Sequence, residues 1–443
     1  MKSIVELASA YRKGERSPID IVDELLADIE SSSINAYITV MADQARAEAK
    51  AAQAQFASGK AVGTLAGVPI AVKDLIDVAG YRTTMGAEQY AENVPKDDAE
   101  VVRRLRKAGA IIIGKANTHQ FAYGSTGDRS YFGAVRNPRN PSRVPGGSSS
   151  GSAASVAAGL AYGSLGTDTS ASIRLPAALC GIVGMKATLG LVPTQGVFPL
   201  SKTLDHVGPI STCVQDNALL LEVISGSCAG TYSSKIGQSV QGLVIGVPSN
   251  FYSEYVSSAV NSSLQAALQA LEAAGAVVKT VDVDNIYEIY DAQQLVLKTE
   301  AYAQHEASLN AQAPFIKEVQ DRLLTGKDVL ASEYLRNLKY QSIAQACFDK
   351  ALEHVDVLLT PTCGVTAPLL DERTTHINGE DRSTPWLLTR LTAPTNFSGH
   401  PSLSVPFMQD ESGMPVGLQL IGKLHDEATL YQVGNQLEAH GAK

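Results

Sequence analysis

Hydrophobic positions along this chain repeat with two different periods, and segments of the two kinds follow one another closely. Val5, Leu7, Ala8 and Tyr11 form an amphipathic helical stripe, and Ser17-Pro18 then reads as a helix cap followed by proline at the first helical position. Ile19, Ile21, Val22, Leu25, Leu26 and Ile29 continue at helical spacing. Residues 36–40 read as a short strand, and residues 41–56 as an alanine-rich helix. Next comes a strand composition over residues 65–72 that closes on Lys73-Asp74, so the lysine is expected at the edge of a buried sheet or inside it. The helix at 99–108 leads through Gly109 into an apolar strand at 110–114. Further on, the pattern predicts helices at 216–224 and 257–274 and strands at 242–248 and 276–283. Residues 286–353 are almost wholly helical in pattern, and a strand at 355–359 ends at Thr360-Pro361-Thr362. Residues 401–406 and 416–421 read as a hairpin, and a helix at 427–440 closes the chain. The alternation predicts an α/β fold, with a central mixed, largely parallel twisted sheet covered by helices on both faces.

At 443 residues the chain has room for roughly three domains, yet no internal repeat or interdomain linker divides it. We read one unit over 1–443, with N-terminal helices in 1–60, a core in 61–225 and a helical excursion at 285–355. The net charge of −9 comes without any basic stripe, which argues against nucleic acid as a direct ligand. No run of 18 apolar residues suits a membrane span, and Lys2 and Glu6 interrupt what a signal peptide needs, so a cytoplasmic location is expected. The five cysteines show no CxxC spacing and are expected to be free thiols. The eight histidines are scattered without ligand spacing and there is no HExxH, so no metal site is expected.

The chemistry concentrates in residues 146–172, where 20 of 27 residues are Gly, Ser or Ala. Apolar residues follow at once (Ile173, Leu175, Leu179, Ile182, Val183), so the stretch is a close-packed helix and strand rather than a linker. Gly147-Ser148-Ser149-Ser150-Gly151 formally fits GxSxG, but that elbow needs a preceding strand and residues 140–145 read as a loop. No serine precedes a lysine by three residues, which removes the SxxK hydrolases. The remaining combination is Lys73 with two serines. A lysine acts as a base only when neutral, and burial favours that form.

Gly67-Val68-Pro69-Ile70-Ala71-Val72-Lys73-Asp74, Pro145-Gly146-Gly147-Ser148-Ser149-Ser150-Gly151-Ser152-Ala153 and Gly166-Thr167-Asp168-Thr169-Ser170-Ala171-Ser172-Ile173-Arg174 occur in that order, followed by Cys180-Gly181-Ile182-Val183-Gly184-Met185-Lys186. Together they resemble the motifs of the amidase signature family, which is marked by a Ser–cis-Ser–Lys triad. Further similarity runs through 201–210 and 392–421. The resemblance implies Ser172 as nucleophile, Ser148 as the cis-serine and Lys73 as base, with a cis peptide between Gly147 and Ser148. It implies an oxyanion hole from the backbone N–H groups of Thr169, Ser170, Ala171 and Ser172, at the start of the following helix. Asp168 and Arg174 are expected to brace the loop as a pair, Ser149 to support it by hydrogen bonding, and His206 and His400 to pack. Asp74 is expected either to tune Lys73 or to serve its own loop. No cofactor is implied.

Two departures stand out. Ser170-Ala171 occupies positions where the family usually has at least one glycine, and a side chain at φ > 0 there would cost about 1–2 kcal/mol. Gln120, where relatives often carry Glu, and Pro406-Phe407 are expected to reshape the pocket wall. The activity implied is hydrolysis of a small carboxylic amide to acid plus ammonia or amine, and the resemblance leaves a homodimer open. An alternative is the amidase subunit of a tRNA-dependent amidotransferase. The segment at 285–355 resembles the stand-alone amidases more closely. A third reading is a catalytically silent family member that acts by binding.

Overall fold

The computed structural model describes residues 3–59 and 62–441. Its strands, in chain order, are β1 (Tyr37–Val40), β2 (Pro69–Lys73), β3 (Ile111–Ala116), β4 (Gly163–Asp168), β5 (Val183–Lys186), β6 (His206–Ser211), β7 (Val244–Pro248), β8 (Val277–Val281), β9 (Val357–Pro361), β10 (Thr374–Ile377), β11 (Glu380–Ser383), β12 (Ser402–Gln409) and β13 (Pro415–Gly422). Eleven of them form one sheet in the order β1-β3-β2-β4-β6-β5-β12-β13-β9-β7-β8. The α/β architecture and the mixed sheet agree with the sequence pattern. The parallel majority does not: of ten neighbouring pairs, only β2–β3, β2–β4, β7–β8 and β7–β9 are parallel. Parallel pairing needs a long crossover, and helices supply it between β2 and β3 (Glu100–Lys107) and between β7 and β8 (Ser258–Ala273). The middle of the sheet is closed by shorter returns such as β12–β13, which force antiparallel neighbours.

Helices cover both faces. Gly163 of β4 lies against Leu220, whereas Gly166, three residues on and therefore on the opposite face, lies against Ser149 and Ile173. Leu220 belongs to helix Val214–Ser225, which packs beside helix Glu427–His440 on one side. Ser150–Ala157 and Arg174–Cys180 pack together on the other, nearer the chemistry. The amino-terminal cap forms as the sequence indicates, with Ser17 Oγ accepting from the N–H of Ile19 at 3.1 Å and Pro18 opening the helix.

The helical excursion consists of Ile286–Asn310, Lys317–Leu324 and Ala331–Ala351. It packs a separate apolar cluster containing Phe121, Phe251, Val296, Leu323 and Phe348 against the sheet. The hairpin β10–β11 lies outside the main sheet and turns on Asn378-Gly379, both at positive φ. All five cysteines are free, with Cys228 exposed and Cys180, Cys347 and Cys363 buried. Among the described residues no helix is long and apolar enough to cross a membrane.

Gly151 shows how tightly the helix Ser150–Ala157 is seated. A Cβ there would lie 2.2 Å from the Ala36 carbonyl oxygen and 2.4 Å from the Asn117 nitrogen, both backbone atoms. Helix propensity alone favours alanine over glycine by about 1 kcal/mol. The backbone clash outweighs it, so Gly151→Ala should lose roughly 1–3 kcal/mol of stability, read as a lower urea midpoint at unchanged slope.

Candidate active site

Lys73 ends β2 inside the sheet and is fully buried. Because β2 runs parallel to β4 with Val72 opposite Leu165, the lysine reaches the far end of β4. Its Nζ donates to Ser148 Oγ and to Thr167 Oγ1, each at 2.7 Å. Burial pulls its pKa down to about 7, against the opposing pull of the Asp205 and Asp168 carboxylates. Asp74 plays no part in this. It pairs with a second buried lysine, Lys115 at the end of β3, at 3.0 Å, and accepts from the Thr84 N–H at 2.8 Å.

Ser148 follows a cis peptide bond from Gly147. Its carbonyl oxygen accepts from Thr118 Oγ1 at 2.9 Å and the His119 N–H at 3.2 Å, which leaves its hydroxyl to Lys73. The Ser149 hydroxyl is tied into β4, donating to the Thr167 carbonyl at 3.1 Å and accepting from the Thr167 N–H at 3.2 Å. Ser149 is fully buried and no strand leads into it, so the elbow geometry is absent.

Ser172 sits in the turn between β4 and helix Arg174–Cys180, 9% exposed. Its carbonyl accepts from the Ser149 N–H at 3.3 Å, which seats it beside the Lys73–Ser148 pair. Its hydroxyl has no hydrogen-bond partner among the described residues, Ser148 included. The N–H groups from Thr169 to Ser172 likewise donate to no acceptor among the described residues. The first N–H groups of the following helix, expected to share in this set, are occupied instead. Ile173 and Arg174 both donate to Asp168 Oδ2, at 3.1 and 3.4 Å. The free donors therefore belong to the turn, and the helix end is capped by a carboxylate.

Asp168 and Arg174 form the expected pair, both fully buried, at 3.0 and 2.9 Å. Burial alone pushes the Asp168 carboxyl up, but the guanidinium and the Asn396 amide hold it well below the usual carboxylate range. Arg174 also donates to the Ser170 carbonyl at 3.2 Å and to Thr395 Oγ1, Asn396 Oδ1 and Gln419 Oε1 at 2.6, 2.6 and 2.7 Å.

Neither Ser170 nor Ala171 adopts positive φ, so the strain anticipated there is absent. The Ala171 methyl packs in an apolar cluster with Val144, Leu175, Leu179 and Met414. The Ser170 hydroxyl accepts from Gln293 Nε2 at 2.8 Å. Gln120 and Phe407 are spent on structure: Gln120 Oε1 accepts from the Ile316 N–H at 2.9 Å, and Phe407 lies in the main core near the carboxy-terminal helix. His206 Nδ1 lies 2.8 Å from the Leu204 carbonyl, and His400 packs on Phe348.

The sequence reading missed Thr167, Lys115, Asp205, Gln293 and Asn396. Asp205 accepts from Thr169 Oγ1 at 2.6 Å, and its carboxyl is pushed up to about 6 by burial, against the pull of that bond and of the Leu200 and Ser201 N–H groups. Lys115 carried a visible signal, since Ile111-Ile112-Ile113-Gly114-Lys115 repeats the apolar run closed by lysine seen at 68–73. Among the described residues no three His, Cys, Asp or Glu side chains are grouped to hold a metal ion.

A buried lysine on a parallel strand, bonded to a serine after a cis peptide and set beside a second serine, defines an amidase signature site. The chain belongs to that family: the Amidase family profile matches residues 20–431. The chain is similar to a glutamyl-tRNA(Gln) amidotransferase subunit of Lachnospira eligens, 35% identical over 474 residues, which span 98% of this chain and 97% of the relative. Among solved structures it resembles an amidase with a TM-score of 0.93 and 33% identity over the whole of both chains. It also resembles the corresponding glutamyl-tRNA(Gln) amidotransferase subunit of Thermotoga maritima, with a TM-score of 0.83 and 31% identity over 99% of this chain and 95% of that one. It is thus an amidase signature amidohydrolase.

Holding Lys73 in this site has a cost that depends on pH. Its folded pKa of about 7 lies below its unfolded value of 10.5, so between these limits the unfolded chain binds more protons and stability rises with pH. The full difference is roughly 3–5 kcal/mol. Urea unfolding at about pH 7 and about pH 9.5 should show this rise for the wild type and its loss in Lys73→Met. Parallel pH curves for the two proteins would contradict the assignment of a neutral buried lysine.

Proposed function

We propose that this protein cleaves the C–N bond of a carboxylic amide through an acyl-enzyme on Ser172. The observation that carries the reading is the 2.7 Å contact between buried Lys73 and Ser148, beside a serine whose hydroxyl is uncommitted. Neutral Lys73 takes the Ser148 proton, and Ser148 takes that of Ser172 as Ser172 Oγ bonds to the amide carbonyl carbon. The developing oxyanion is held by the free N–H groups between Thr169 and Ser172. Collapse breaks the C–N bond, and the proton returns through Ser148 to the leaving nitrogen. Water then attacks the ester, giving up its proton by the same relay, and the acid leaves.

Two settings suit this chemistry, and the sequence comparison favours the amidotransferase subunit. Similarity to that subunit extends over almost the full length of both chains. In this setting the amide is that of glutamine, and the ammonia passes to a partner that uses it on a charged tRNA. The stand-alone amidase, the setting favoured by the 285–355 segment, keeps one specific observation. The backbone matches an amidase at a TM-score of 0.93, against 0.83 for the amidotransferase subunit.

The test is ammonia release from a panel of amides that includes glutamine, followed by mass spectrometry with and without co-expressed amidotransferase partner subunits. Glutamine turnover that rises with the partners supports the first setting, and turnover of simple amides by the chain alone selects the second. In either, Ser172→Ala should fall by about 10⁴-fold or more. Full activity in that variant, with a dead Ser149→Ala, would reverse the assignment of the nucleophile. The pH profile of kcat/KM should climb about tenfold per unit to a plateau above about pH 7, because protonated Lys73 cannot accept a proton.

A further inference from the structure

We infer that Gln293 is a positioning residue for this site, through which the helical excursion holds the turn that carries the oxyanion donors. The inference rests on the reading of Ser172 as nucleophile given above.

Gln293 lies in helix Ile286–Asn310 and is fully buried, the polar member of an inward stripe with Ile286, Ile289, Val296 and Leu297. A polar side chain placed there needs partners, and it has them at both ends. Its Nε2 donates to the Ser170 hydroxyl at 2.8 Å and to the Thr169 carbonyl at 3.2 Å. Its Oε1 accepts from Gln294 Nε2 at 2.7 Å. Because a carbonyl oxygen can only accept, the contact with Thr169 fixes which end of the amide faces the turn.

The turn is thus gripped by three side chains. Asp205 takes the Thr169 hydroxyl and Arg174 takes the Ser170 carbonyl, both from within the segment 168–205. Gln293 alone of the three comes from the excursion. Its grip uses an oxygen that glycine at position 170 would not supply. N–H groups act on a developing oxyanion only when held in place beforehand, so this latch should affect the reaction while leaving ground-state binding nearly unchanged.

The test compares wild type with Gln293→Met, Ser170→Gly and the double variant. Methionine keeps the volume and removes both donors. The readouts are kcat and KM on the amide that the wild type turns over, and the rate at which a fluorophosphonate modifies Ser172, followed by intact mass. The phosphonate needs the same N–H groups but no amide substrate. Gln293→Met should lower kcat and the labelling rate together by about 10- to 100-fold, with KM within about threefold. The acid limb of the pH profile should not move, because Lys73 is untouched. Adding Ser170→Gly to Gln293→Met should change little further, since the two act through one bond.

A raised KM at unchanged kcat would overturn the inference and make Gln293 a substrate contact. Fully additive effects would also overturn it, as would a loss of activity that merely follows the unfolded fraction. If Gln293→Met does not fold, Ser170→Ala removes the acceptor alone and should reproduce the fall in kcat and labelling. A wild type that hydrolyses amides without labelling at Ser172 would instead sink the nucleophile assignment, and this inference with it.

Discussion

The bond on which the site depends is the one between Arg174 and Asp168. A guanidinium removed from water must have its N–H groups satisfied, or its burial becomes prohibitive. Here all three nitrogens are occupied, and the partners are drawn from distant parts of the chain. Asp168 is the last residue of β4, Ser170 lies in the turn, Thr392, Thr395 and Asn396 surround a short helix (Ala393–Ser398), and Gln419 is on β13. One side chain therefore fixes the turn relative to a strand four places away in the sheet. The same carboxylate caps the helix that follows, which leaves the N–H groups of the turn as the free ones.

This bracing explains how Ser170 and Ala171 are tolerated. With the turn held from several sides, neither residue needs the left-handed backbone that favours glycine. Each side chain then finds a local use, the methyl in an apolar cluster and the hydroxyl on Gln293. The departure from the usual motif thus goes with a matching partner on the excursion.

Much of this was legible from local pattern. The carboxy-terminal helix begins and ends where its hydrophobic period does, at Glu427–His440, and the apolar run before Lys73 does become a buried strand. The lysine and the two serines stand in linear motifs, so a reading by motif brings them together. What escaped was of two kinds. Asn378-Gly379 is a strong hairpin signal that sits between short, polar, exposed strands, where no hydrophobic alternation draws attention to it. Thr167, Asp205, Gln293 and Asn396 matter only through contacts made across the fold, and no spacing in the sequence encodes those contacts. The antiparallel majority of the sheet escaped for the same reason, because β5 meets β12 across more than 200 residues of chain.

Two lysines at the ends of adjacent strands, in the same apolar setting, have opposite electrostatic surroundings. Lys115 has Asp74 at 3.0 Å, and a contact of that kind favours the ammonium form. Lys73 has only hydroxyl neighbours within hydrogen-bond distance. Asp168 and Asp205 act on it from farther away and would favour its cation, but both are compromised as counter-ions. Asp168 is committed to Arg174, and Asp205 is itself pushed up to about 6 by burial. Desolvation therefore prevails at Lys73 and brings its pKa to about 7. Arg174 thus serves the site twice: it holds the turn that carries Ser172, and by neutralising Asp168 it leaves Lys73 without a full counter-charge. A lysine in that position gives up its proton near neutrality, which the relay from Ser172 through Ser148 requires.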